Sequence, residues 1–217
     1  MDLKDWLERF IAAMEDTFGP RVVFLGIQGS RGRGEATEDS DIDVVVILDR
    51  VDLNTLQMYD KAISCLPMRD KLCGFVSGKG ELVCWAPGEL FQFYYDTVPL
   101  VGSLDFLLPL IHREDIRRQV HTSACGIYHM CSHNYLHAKS RDTLKEICKM
   151  CFFLLQALHF LHTGSYVGKK GELLPQLSEG ERRILMAACQ PVSASQEFDQ
   201  LSEQILDWSK NLILTFC

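Results

Sequence analysis

VVFLGIQGSRGRGEATEDSDIDVVVIL, residues Val22 to Leu48, is the stretch whose reading decides the fold. It opens on an apolar strand from Val22 to Ile27, turns at Gly29-Ser30 and crosses a polar loop rich in Arg and Gly. Asp41-Ile42-Asp43 then leads into a second apolar strand, Val44 to Leu48. Residues two apart on a strand point to the same side, so Asp41 and Asp43 are expected to share a face. Two carboxylates crowded at the mouth of a sheet repel each other, and a hard divalent cation with oxygen ligands relieves that repulsion. Mg2+ suits such a pair, because it takes one or two protein carboxylates and fills its other positions with water and phosphate oxygens. The Gly-Ser turn offers the complementary half: backbone N–H groups that can approach an anion, and the Ser30 hydroxyl. Arg31 and Arg33 carry charge suited to phosphate.

The order Gly-Ser, ten residues, Asp-x-Asp, between two apolar strands, resembles the nucleotidyltransferase superfamily that includes DNA polymerase beta and the aminoglycoside nucleotidyltransferases. GSRGRGEATEDSDIDVVVI is similar to its bacterial form, in which an Arg- and Gly-rich turn precedes Ser-Asp-x-Asp. The resemblance implies an α+β fold, a small mixed sheet with flanking helices followed by a C-terminal antiparallel helical bundle. It also implies a Mg2+-dependent transfer of a nucleoside monophosphate, AMP from ATP, to the hydroxyl of an aminoglycoside-like small molecule. In that reading Gly29, Ser30, Arg31, Arg33 and Ser40 bind the nucleotide, and Asp41 and Asp43 are catalytic metal ligands. Relatives often pair to complete their sites, so a homodimer falls within the same expectation.

Family members often place a third carboxylate on the next strand. That strand reads here as Leu72 to Val76, LCGFV, and it has none. Glu81, Asp96 and Asp105 are the nearby acids. Asp96 and Asp105 are the preferred catalytic candidates, since groups at strand ends tend to face a ligand crevice. The missing acid also leaves open a second reading, a noncatalytic nucleotide-binding regulatory or antitoxin-like module. Other phosphate loops fit worse: there is no G-x-x-x-x-G-K-[ST], and Gly32-Arg33-Gly34 is followed by Thr37 where a dinucleotide fingerprint wants Gly or Ala.

Composition bounds the alternatives. With 47% hydrophobic and 24% charged residues, the 217-residue chain reads as globular. Its formal charge of −7 argues against a broad nucleic-acid surface, which would need basic patches. No apolar run reaches the ~18 residues of a membrane span. MDLKDWLERF is acidic and amphipathic, unlike a secretory leader. Nine cysteines, an odd number set in apolar segments, read as reduced thiols, so the expected location is the cytoplasm.

Outward from the central stretch, Leu3, Trp6, Leu7, Phe10, Ile11, Met14 and Phe18 recur at helical spacing, predicting an amphipathic helix against the sheet. A further helix is expected from Asp52 to about Cys65, with Leu53, Leu56, Tyr59, Ala62 and Ile63 inward. Val98 to Leu104 reads as a strand. Beyond Phe106 helical periodicity takes over, which places the boundary between a nucleotidyltransferase domain, 1–108, and a helical bundle, 109–217. Four bundle helices are expected: Glu114 to His137, with Met130 and Tyr135 among its inward residues; one starting at Ser140; one starting at Ser178; and Ser195 to Phe216. His129, His133 and His137 stack along one face of the first.

Overall fold

The computed structural model describes residues 2–187 and 195–217. These divide into two compact units, 1–110 and 111–217. The first begins with helix α1, Leu3–Phe18, whose Trp6, Phe10, Met14 and Phe18 recur every four residues and are all buried. That spacing puts one apolar stripe on the sheet. Burying each such side chain is worth about 1.5–3 kcal/mol before chain entropy is charged. Strand β1, Val22–Gln28, leads through a single helical turn, α2, Gly29–Gly32, and a polar loop into β2, Ile42–Leu48. Helix α3, Leu53–Ser64, is capped by Asp52, whose carboxylate accepts from the Thr55 N–H at 2.7 Å. Then come β3, Leu72–Gly78; the short turn α4, Lys79–Leu82; helix α5, Pro87–Asp96; and β4, Val98–Val101.

The sheet order is β3-β2-β1-β4. β1 pairs antiparallel with both β2 and β4, whereas β2 and β3 run parallel, so the sheet is mixed. Ile42, Val44, Val46 and Leu48 form a core with α1. The period of two therefore turns Asp43, Val45 and Ile47 to the opposite face. α5 covers that face, since Phe75, paired in register with Val45, meets the Phe93 ring at 5.1 Å.

The second unit consists of helices and turns. Helix α6, Arg113–His133, buries Ile116, Val120, Ala124, Ile127 and Cys131. It runs into a wider π-type turn, Asn134–Ala138. Helix α7, Arg141–Thr163, starts where Ser140 accepts from the Thr143 N–H at 3.1 Å and stops at Gly164, φ 75°. Twelve of its residues are buried. A short turn, α8, Lys170–Leu173, precedes α9, Glu179–Ala187, whose start is fixed by Ser178 donating its N–H at 3.0 Å and its hydroxyl at 2.6 Å to the Glu181 carboxylate. α10, Ser195–Phe216, closes the unit and lies against α6.

Some inward assignments are corrected. Leu53 and Leu56 are 72% and 41% exposed; Ile63 is buried as expected, but Thr55 takes the inner side at the start of α3, because Asp52 caps through Thr55 and rotates the helix accordingly. Met130 and Tyr135 are also exposed. The π-type turn inserts a residue into the helical period, and buried Asn134 takes the inward place, exchanging two 2.9 Å hydrogen bonds with the Ser140 backbone. The fourth strand ends at Val101, because Gly102 turns with φ 76° against the Val23 carbonyl. Among the described residues, no helix is long and apolar enough to cross a membrane.

Candidate active site

The end of β1 and the start of β2 form one corner. Gln28 is the register partner of Asp43, and the chain turns at Gly29 immediately beyond. Gly29 has φ 67°, and a Cβ there would lie 2.2 Å from Asp43 Oδ2. Both observations demand glycine: the left-handed backbone, and a carboxylate seated directly on the turn. Asp41 is exposed ahead of the strand and acts electrostatically on Asp43, while Ile42 between them is fully buried.

A third acid reaches this corner from α5. Asp96, the last residue of that helix, accepts from the Gly29 N–H at 3.4 Å and from Arg33 Nη1 at 2.7 and 3.0 Å. Its position is braced by its neighbour Thr97, whose hydroxyl accepts from Gln28 Nε2 at 2.6 Å. Burial pushes the Asp43 carboxyl up from its ordinary value; Asp41 and Asp96 push it further, and Arg33 and Arg31 pull it back. The Asp96 carboxyl is also raised, because burial outweighs the attraction of the Arg33 guanidinium, although the pair is close and only 12% and 10% exposed.

The loop arginines have internal work. Arg31 donates to the backbone carbonyls of Asp41 at 3.0 Å and Ser40 at 2.8 Å, pinning the loop where it enters β2. Arg33 bridges Asp96 and Glu35, the latter at 3.3 Å. Ser40 Oγ accepts from the Thr37 N–H at 2.9 Å and so closes the loop rather than facing the Gly29 corner as a free group. Asp105 is elsewhere: it is exposed at the start of a 3-10 turn and accepts the Tyr94 phenol at 2.9 Å. Glu81 lies in the turn after β3.

Comparison with known proteins fits this corner. The sequence profile of the nucleotidyltransferase domain family matches residues 7–72. That stretch is similar to a nucleotidyltransferase domain. The matched residues run from α1 to the start of β3, so Gly29, Ser30, Asp41 and Asp43 lie inside them and Asp96 lies outside. The crystal structure of spectinomycin adenyltransferase AAD(9) from Enterococcus faecialis, solved with ATP and spectinomycin, aligns over 98% of this chain and 100% of its own. The TM-score is 0.59 at 14% identity, so what the two share is the fold. A nucleotidyltransferase-like protein from Exiguobacterium sibiricum aligns over 97% of this chain and 75% of its own, at 12% identity and a TM-score of 0.35. The curated proteins contain no match.

At this corner, sequence reasoning missed Glu35, Gln28 and Thr97. The signal for Gln28 was its place one residue before the Gly-Ser turn; Glu35 and Thr97 acquire their partners only through folding. Among the described residues, no three His, Cys, Asp or Glu side chains enclose a point where a cation could sit. The donor set fits a cation bound from one side by one or two carboxylates, with the rest of its shell supplied by water and substrate.

Proposed function

We propose that the chain is a Mg2+-dependent adenylyltransferase that moves AMP from ATP to a hydroxyl of an aminoglycoside-like small molecule. The observation that carries this reading is the seating of the Asp43 carboxylate on the Gly29 turn, with Asp41 and Asp96 beside it. Asp41 and Asp43 would hold Mg2+, which when bound supplies positive charge to the phosphate oxygens and lowers the barrier to their attack. Gly29 and Ser30 present the turn to the polyphosphate, and catalysis rests on placement and charge neutralisation. The acceptor O–H gives its proton to Asp96; its oxygen bonds to the α-phosphorus as the bond to the bridging oxygen breaks and pyrophosphate departs. A carboxyl raised by burial is better suited to that proton than an ordinary aspartate. Arg33 positions Asp96 and, with Arg31, supplies positive charge near the phosphates. Support for the acceptor class comes from the fold shared with an enzyme crystallised with ATP and spectinomycin, and the chain's net charge of −7 favours cationic acceptors. Asp105, paired with Tyr94, is not given a catalytic role.

The test is pyrophosphate release from ATP and Mg2+ with an aminocyclitol panel. Wild type is expected to turn over, and Asp41→Asn/Asp43→Asn to lose at least about a thousandfold in rate. Undiminished turnover in the double variant would overturn the assignment.

A noncatalytic nucleotide-binding module is the second reading. It is favoured by a third strand without an acid and by the engagement of Asp96 with Arg33. Retention of labelled ATP with no pyrophosphate from any acceptor would select it.

A further inference from the structure

The outer edge of α6 carries a row of imidazole and thiol groups that the chemistry above does not use. His121, Cys125, His129 and His133 follow one another every fourth residue, and His137 continues the row in the π-type turn. Residues four apart on a helix are neighbours on one face. Cys125, His129, His133 and His137 are exposed, and His121 is half-buried. Among the described residues, the rings of His129, His133 and His137 have no hydrogen-bond or ion-pair partner, so their nitrogens are uncommitted.

The spacings within the row sort it into pairs. Cys125 Sγ lies 3.9 Å from His121 Nε2. A tetrahedral ion at ordinary Zn–S and Zn–N lengths holds such atoms about 3.6 Å apart, so a small side-chain rotation closes this pair on one ion. The His129 and His133 ring centroids stand 6.2 Å apart, but across the π-type turn the His133 and His137 centroids come to 4.7 Å. One ion bonded to a nitrogen of each of two rings sets the centroids roughly 4.5–5.2 Å apart, for ligand angles between square and tetrahedral. His133 and His137 meet that condition, and His129 and His133 do not.

We infer that this edge of α6 binds late first-row transition-metal dications of the Zn2+ class, held by His121 with Cys125 and by His133 with His137. Imidazole and thiolate select such ions, whereas Mg2+ and Ca2+ require oxygen donors. Among the described residues no group of three metal-ligating side chains converges, so each pair supplies two ligands and water completes the shell. Binding at Cys125 releases the thiol proton to solvent. The row belongs to the second unit and does not depend on the nucleotidyl-transfer reading.

ZnCl2 titrated into the full-length 15N-labelled protein, read at the histidine ring nitrogens, tests the assignment. The chain has seven histidines, so the rings outside the pairs serve as internal controls. Saturable shifts are expected at His121, His133 and His137, with His129 unmoved. His137→Ala changes an exposed residue and turns a chelate into a single-donor contact, so it should weaken the His133 response at least about tenfold and leave that of His121 unchanged. The inference is overturned if the paired rings do not shift or do not saturate, if His129 shifts as they do, or if folded His137→Ala leaves the His133 response intact. MgCl2 producing the same ring shifts would also overturn it, since that is screening rather than ligation. Should His137→Ala fail to fold, the wild-type ring map and the MgCl2 comparison decide the matter.

Discussion

Asp43 holds a position that stability alone would not choose. It is the second residue of a strand, half withdrawn from water and facing other carboxylates, and its carboxyl is raised on folding chiefly by burial and by Asp41. An acid raised by folding binds its proton more tightly in the native state, so its ionisation costs stability. The cost is absent below the ordinary carboxylate value of 3.8, grows as pH rises through that range, and is complete above the raised value. Asp43→Asn is therefore expected to melt at a higher temperature than wild type at neutral pH, with the gain vanishing in acid. Thermal melts across pH read this directly; an asparagine variant that is less stable at neutral pH would contradict it. The acidic pair itself was legible as Asp-x-Asp leading into a strand. The Asp96 contribution was not, because 53 residues of chain and a helix end separate it from Asp43.

At the scale of elements, termini were the most readable features. Ser140 and Ser178 open helices where the sequence places their starts, and Gly164 closes α7. Gly164 has φ 75°, donates its N–H to the Phe160 carbonyl at 2.8 Å, and leaves open space where a Cβ would go. Gly164→Ala should thus cost only the left-handed backbone, about 1 kcal/mol, with no clash added. Denaturant unfolding is expected to show a lower midpoint at an unchanged slope. Helix rotation was less readable: Leu53 and Leu56 fit an apolar stripe, yet Thr55, held by Asp52, is the residue turned inward. One hydrogen-bonded cap outweighed two leucines at the helix start. A similar override occurs at Asn134, whose amide clamps Ser140 across the π-type turn that follows α6.

For the molecule as a whole, each unit has its own apolar core, one built on α1 and the sheet, the other on Phe152, Leu155, Leu173, Leu177 and Leu185. A ligand that binds only the native first unit stabilises it by mass action. ATP with Mg2+ at a hundredfold excess over its Kd is expected to add about 2.7 kcal/mol to that unit's stability. Differential scanning should show the corresponding rise in melting temperature. Asp41→Asn/Asp43→Asn, or a chelator added to wild type, should remove it; an undiminished shift in either case would place nucleotide binding elsewhere.

Local sequence determined the strand-turn-strand unit, the stripe on α1 and the helical character of the second half, because periodicity and glycine turns act over a few residues. It also determined that Asp41 and Asp43 stand two apart where β2 begins. Tertiary structure alone decided which distant acid meets them, that Arg33 holds it, and which residues of α3 and α6 face inward. Those outcomes depend on burial and on hydrogen-bond partners far away in the chain, and no spacing rule along the sequence carries that information.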